Sequence, residues 1–225
     1  MSMNIAIDGP AGAGKSTIAK RLAKKLGFIY VDTGAMYRAM AYYFLRHNID
    51  AKDEKAIAAA CPNVDVTITY ENGEQQVLLN GENVNGVIRN EEVGNMASST
   101  SVYPVVRKKL VELQRQLAKS ADVIMDGRDI GTYVLPNAEV KIFQVATVHE
   151  RAKRRYLENL EKGITCNLEE IEQDLIRRDN IDSSRAFAPL RPAEDSILLD
   201  TSNMSIDEVV NAVISIIEKK LGEME

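Results

Sequence analysis

The chain has 225 residues, 27% of them charged, with a formal net charge of −5. That length gives room for one substantial core and a smaller appended unit. No apolar run approaches the ~20 residues that span a bilayer, the first residues lack the pattern of a secretory signal, and the acidic balance argues against a general nucleic-acid binder.

Met3 to Asp8 reads as a short buried strand. Gly9, Pro10, Ala11, Gly12, Ala13, Gly14, Lys15 and Ser16, followed by Thr17, then fit G-x-x-x-x-G-K-[ST], the loop that holds the phosphates of ATP or GTP. From Ser16 to Leu26, apolar Ile18, Leu22 and Leu26 share the segment with Lys20, Arg21, Lys24 and Lys25, and Gly27 suits a helix end at positive φ. Strand, glycine loop and helix supply what an anion needs: a nest of backbone N–H groups and the positive end of a helix. Lys15 is expected at the β/γ-phosphates and the Ser16 hydroxyl on Mg²⁺. Because the net charge is negative, phosphate binding must rest on local arginine clustering.

The second strand, Phe28 to Val31, runs into Asp32-Thr33-Gly34-Ala35-Met36-Tyr37-Arg38. Thr33 is expected to cap the helix through Met36, Met40 and Phe44, with Arg38 near its positive end, making a second phosphate site across the carboxyl edge of the sheet. From Val64 to Tyr70 the pattern changes to period two, and Asn72-Gly73 and Asn80-Gly81 supply turns around Val77 to Leu79. This predicts a small antiparallel insertion at roughly 62–90 in a core made of 1–61 and 91–225.

Tyr103 to Lys119 reads as a helix, with Pro104 in its first turn and a stripe of Val106, Leu110, Leu113 and Leu117. Val123 to Met125 is the third core strand, ending in Asp126-Gly127-Arg128-Asp129-Ile130-Gly131. Asp126 is placed to organise Mg²⁺ through water, and Arg128 is suited to pair with a phosphate, with an internal carboxylate that shapes the turn, or with both. Val140 to Val145 and Ile197 to Leu199 complete about five strands, and Ile206 to Leu221 closes the chain as a helix. Continuous apolar strands between helices make a doubly wound parallel α/β sheet. Arginines cluster at Arg151, Arg154 and Arg155 and again at Arg177, Arg178, Arg185 and Arg191. Cys61 and Cys166 are too few and too far apart to suggest a zinc site and read as reduced thiols of a cytosolic protein; His47 and His149 read as ordinary positions.

The glycine loop, D-T-G-A-M-Y-R, D-G-R-D-I-G-T and Arg177-Arg178-Asp179-Asn180-Ile181-Asp182-Ser183-Ser184-Arg185-Ala186-Phe187-Ala188-Pro189-Leu190 together resemble bacterial cytidylate kinase, in matching order over essentially the whole chain. The resemblance implies a P-loop kinase core, a nucleoside-monophosphate-binding unit and a helical lid around 153–170. It implies Mg·ATP phosphorylating CMP or dCMP in the cytoplasm, by a monomer with no nucleic-acid or membrane partner. Motif by motif, it puts the acceptor phosphate on Arg38, Arg128 and Arg185, near Thr33. The sugar falls to Arg178 and Asp182, the base to Ser98, Arg107 and Asp129, and the ATP phosphates to the loop and Arg154. Asp129 would accept from the cytosine N4 amino group while Arg107 and Ser98 donate to the ring's acceptors, a pattern that uracil reverses. Thr33-Gly34-x-x-x-Arg38 also resembles adenylate kinase, so that motif alone does not choose the base. The N-K-x-D and D-x-x-G motifs of a GTPase switch do not occur.

Overall fold

The computed structural model describes residues 2–222. β1 (Asn4–Asp8) leads through the glycine loop into α1 (Lys15–Leu26), which Gly27 ends at φ 73° with its N–H on the Ala23 carbonyl. β2 (Ile29–Asp32) runs directly into α2 (Thr33–Arg46). After α3 (Glu54–Ala60) come β3 (Val66–Glu71), β4 (Glu74–Leu79) and the short β5 (Glu82–Asn83). α4 (Glu91–Thr100) and α5 (Pro104–Ser120) lead back to β6 (Val123–Gly127). A π-helical turn, Ile130–Val134, precedes β7 (Val140–Val145). α6 (Val148–Glu161) and α7 (Leu168–Ser184) follow, then β8 (Ile197–Asp200) and α8 (Ile206–Gly222).

The main sheet is parallel throughout, in the order β2-β6-β1-β7-β8. Successive side chains point to opposite faces, so each strand feeds two cores. Ile5, Ile7, Ile124 and Ile142 pack with Ile18 and Leu22 of α1 and Val209 and Val213 of α8. Ala6, Val31, Val123 and Met125 pack on the other face with Met36, Met40, Phe44 and Leu110. The register sets Asp8 beside Gly127 and Asp32 beside Asp126. The glycine loop, the start of α2 and the Asp126 turn therefore leave the sheet at one edge, where open α/β sheets bind ligands.

β3, β4 and β5 form a separate antiparallel sheet, turned at Asn72 and Gly73 with φ 53° and 78°. Its hairpin covers the open side of β2. The Asp32 N–H donates to Gln75 Oε1 at 2.8 Å, Gln75 Nε2 donates to the Asp32 carbonyl at 3.2 Å, and the Tyr70 hydroxyl donates to the Tyr30 carbonyl at 3.0 Å. A side-chain amide thus satisfies edge-strand groups that a neighbouring strand would otherwise pair.

One expected detail changes. Asp32, not Thr33, caps α2: its carboxylate accepts from the Ala35 N–H at 2.9 Å. Thr33 is already helical, and its hydroxyl donates to the Asp126 carbonyl at 2.7 Å, tying α2 to the end of β6. The carboxylate wins because β2 ends one residue before the first helical turn, in the extended conformation a cap requires. Among the described residues no helix is long and apolar enough to cross a membrane.

Candidate active site

The phosphate loop is shaped by glycines at φ 151° (Gly9), 74° (Gly12) and 89° (Gly14). At Gly9 a Cβ would stand 2.0 Å from the Gln144 carbonyl oxygen, so only glycine fits between the loop and β7. Behind the loop, Arg151 Nη1 donates to the Ala11 carbonyl at 2.7 Å, and the Ala11 N–H donates to Asp179 at 3.2 Å. Arg151 and Asp179 themselves pair at 2.7 Å. Arg151, one of the clustered arginines, therefore spends its donors bracing the loop.

On the cleft side, Lys15 Nζ donates to the Pro10 carbonyl at 2.8 Å. Burial, then the Arg128 guanidinium, hold its ammonium well below the ordinary lysine range. Ser16 Oγ donates to Asp126 Oδ2 at 2.9 Å, and the Tyr30 hydroxyl donates to Asp126 Oδ1 at 2.8 Å. Burial, then the Asp32 carboxylate, push Asp126 above the usual carboxylate range. Cation and carboxylate are each held in an environment that disfavours their charge, which is how a site prepares for ions brought by a ligand.

Facing the loop is a set of arginines latched by carboxylates. Arg107 donates to Asp129 at 2.5 Å, and its guanidinium lies over the Tyr37 ring, 5.2 Å from the centroid. Arg128 donates to Asp182 at 2.8 Å, so the internal pair foreseen as an alternative is present. Arg185 stands between Asp182 and Asp129, at 3.4 and 3.5 Å. Arg178 pairs with Asp174 at 2.8 Å and donates to Asn95 at 2.9 Å. Arg38 reaches the Ile88 carbonyl at 3.3 Å; burial, then Arg89, lower it to about 10. Arg185 is lowered as well, by burial and then by Arg107. Mutually repelling buried arginines raise the local affinity for anions. Arg107 Nε, Arg185 Nη2 and the Tyr37 hydroxyl are among the buried polar atoms here with no hydrogen-bond partner.

One cleft of about 1110 Å³ joins the two halves. It is lined by Gly12, Ala13, Gly14, Lys15, Ser16, Thr17 and Arg154 on the loop side, and by Thr33, Arg38, Ser98, Arg107, Arg128, Asp129, Arg178, Asp182 and Arg185 opposite. Gly9, Pro10 and Ala11 form the back of the loop and do not line it. The cleft adds residues to which sequence reading gave no role, among them Tyr37, Arg89 and Gln144. Arg89 donates to Asp32 Oδ2 at 2.5 Å and sits in no motif, so nothing in the sequence marked it. Gln144 had a visible signal, a polar residue near the carboxyl end of a predicted core strand.

No group of three or more His, Cys, Asp or Glu side chains among the described residues forms a metal cage. The Ser16 hydroxyl and the Asp126 carboxylate are nevertheless hard oxygen donors 2.9 Å apart. That suits Mg²⁺, which keeps several waters and takes most remaining ligands from substrate phosphates.

A family model described as cytidylate kinase matches residues 5–219. A curated protein named cytidylate kinase from Geobacillus sp. (strain WCH70) is 50% identical over 221 residues, 98% of this chain and 99% of that one. Another of the same name, from Listeria monocytogenes serovar 1/2a, is 52% identical over 219 residues, 97% of each chain. The solved structure of a gluconokinase from Sinorhizobium meliloti 1021 matches with a TM-score of 0.54 at 10% identity, covering 99% of this chain and 95% of that one, a likeness of fold alone.

Proposed function

The chain belongs to the cytidylate kinase family, and from that premise we propose how its residues divide the transfer of the γ-phosphoryl group from ATP to CMP or dCMP. The observation that carries the reading is the single cleft in which a phosphate loop faces latched arginines and carboxylates. Phosphoryl transfer needs two anions in line with their charge neutralised, and little covalent help.

The loop N–H groups and Lys15 hold the β- and γ-phosphates. Ser16 directly, and Asp126 through water, would hold Mg²⁺, which supplies charge neutralisation at the phosphates when bound. Arg38, Arg128 and Arg185 take the acceptor phosphate, with Thr33 beside them, and Arg178 and Asp182 take the sugar. Asp129 accepts from the cytosine amino group while Arg107 and Ser98 donate to its acceptors. When the nucleotide enters, the Arg128–Asp182 and Arg185–Asp182 pairs exchange one anionic partner for another, so the arginines arrive already oriented. Residues around 153–170, carrying Arg154 and Arg155, act as the lid that excludes water from the reacting phosphates. The division into a core of 1–61 and 91–225 and a nucleotide-binding insertion of 62–90 belongs to the same reading. So does action as a cytoplasmic monomer.

The test is ADP release from Mg·ATP with CMP, dCMP, UMP, AMP, GMP or no acceptor in parallel. Turnover with CMP and dCMP far above the rest is expected. Preference for another monophosphate would remove Ser98, Arg107 and Asp129 from the base site, and ATP binding without acceptor-dependent turnover would overturn the kinase reading.

A further inference from the structure

β7 reads Val140-Lys141-Ile142-Phe143-Gln144-Val145, and Gln144 lies on the same face as Ile142 at the strand's carboxyl end. It is a polar side chain only 1% exposed. Its Nε2 donates to the Ala13 carbonyl at 2.5 Å. Its own backbone carbonyl is the group against which Gly9 packs. One strand residue therefore touches both ends of the phosphate loop, Gly9 through its backbone and Ala13 through its side chain. The orientation of the amide follows from chemistry: only the NH₂ end can face a carbonyl oxygen.

The Ala13 carbonyl has a second, weaker partner. Arg154 Nη1 donates to it at 3.4 Å while Nη2 donates to the Thr201 carbonyl at 2.5 Å. Across a trans peptide the C=O and the following N–H point in opposite directions. Anchoring the Ala13 carbonyl on β7 therefore turns the Gly14 N–H away from the strand. Gly14 lines the cleft at φ 89°, with space around a Cβ position otherwise bounded only by Gln144 Nε2 at 3.6 Å and Arg154 Nη1 at 3.8 Å. A glycine peptide is easily flipped. A flipped one would aim a carbonyl dipole at the phosphates.

We infer that Gln144 is a positioning residue of the donor site: by holding the Ala13 carbonyl it fixes the direction of the Gly14 N–H toward the phosphates of ATP. The inference rests on the loop binding ATP, as proposed above. It assigns Gln144 no contact with the acceptor nucleotide, and that gives the test its selectivity.

Gln144→Leu removes the donor and keeps the volume. Gln144→Met keeps the length, should leucine's branch disturb packing. Gln144→Glu puts a carboxylate against a carbonyl oxygen beneath the phosphates. Mg·ATP and CMP affinities are measured separately by calorimetry on the full chain, with the thermal midpoint of each variant. Losing the stronger of the two hydrogen bonds on the Ala13 carbonyl, with only the longer one from Arg154 left, should weaken ATP about tenfold in the leucine and methionine variants. The glutamate variant should lose more, and CMP affinity should stay within twofold in all three. Unchanged ATP affinity in folded variants overturns the inference, as does equal weakening of ATP and CMP, which would mark a general packing role. A wild-type chain that fails to bind Mg·ATP would instead refute the reading of the loop itself.

Discussion

Arg128 and Arg185 are each held by Asp182, at 2.8 and 3.4 Å, and both line the cleft opposite the phosphate loop. Pre-oriented guanidinium groups that meet a transferring phosphoryl act mainly on its developing charge. Arg128→Ala and Arg185→Ala should each lower kcat on the order of 10³-fold, the low end for a transition-state arginine. Steady-state kinetics decide it: a near-normal kcat with only a raised KM for CMP would reduce either residue to a binding group. Much of this scale was legible in the sequence, because phosphate loops and arginine-rich segments carry their chemistry in residue type. The latching was legible only as an alternative at Arg128. The pairs Arg107–Asp129 and Arg178–Asn95 join residues 22 and 83 positions apart, and no local pattern reports such a meeting.

At the scale of elements, β1 ends in Asp8, whose carboxylate accepts the N–H of Ile130 at 2.8 Å and of Gly131 at 2.7 Å. It pins the π-helical turn that begins beside Asp129. Burial raises Asp8 to about 6, against 3.8 for the free side chain, despite both N–H donors. A carboxyl group whose pKa is raised in the folded state favours the fold when protonated. Its contribution is complete below about pH 4 and is lost as pH rises through about 6, a change of at most about 3 kcal/mol. Asn cannot ionise, so Asp8→Asn should lack that part of the pH dependence. Urea unfolding of both proteins from pH 4 to 7 checks it: the wild-type advantage should shrink as pH rises, and a constant difference would contradict the argument. The strands were readable because short, largely apolar runs between helical patterns are hard to place anywhere but a covered parallel sheet. α3 and α4 were not. Glu54–Ala60 buries only Ile57, too short a helix to show a period. Glu91–Thr100 holds Gly94, Ser98, Ser99 and Thr100, weak helix formers, and is settled by its Asn90 cap on the Val93 N–H at 2.8 Å and by packing on α2.

The whole molecule brings three sheet-edge turns and side chains of α4, α5, α6 and α7 into one cleft, and covers the open side of β2 with a hairpin whose Gln75 grips the Asp32 backbone. The parallel sheet, the antiparallel insertion and the facing of the glycine loop by the start of α2 all follow from patterns visible in the chain. The docking of the hairpin on β2 does not, because a single amide capping an edge strand leaves no periodic trace. The proposed function depends on this assembly as a unit: the groups proposed to read the base come from α4, α5 and the β6 turn, and no one element contains the candidate site. The central claim is that Asp129, buried between Arg107 and Arg185, selects cytosine over uracil. The most direct measurement is the ratio of kcat/KM for CMP to that for UMP in the wild type and in Asp129→Asn. The ratio cancels any general loss of folded enzyme. A wild-type ratio of at least on the order of 10², collapsing toward unity when the carboxylate becomes an amide able to donate to O4, is the predicted result. A ratio near unity in the wild type, or one that survives the substitution unchanged, would contradict the account.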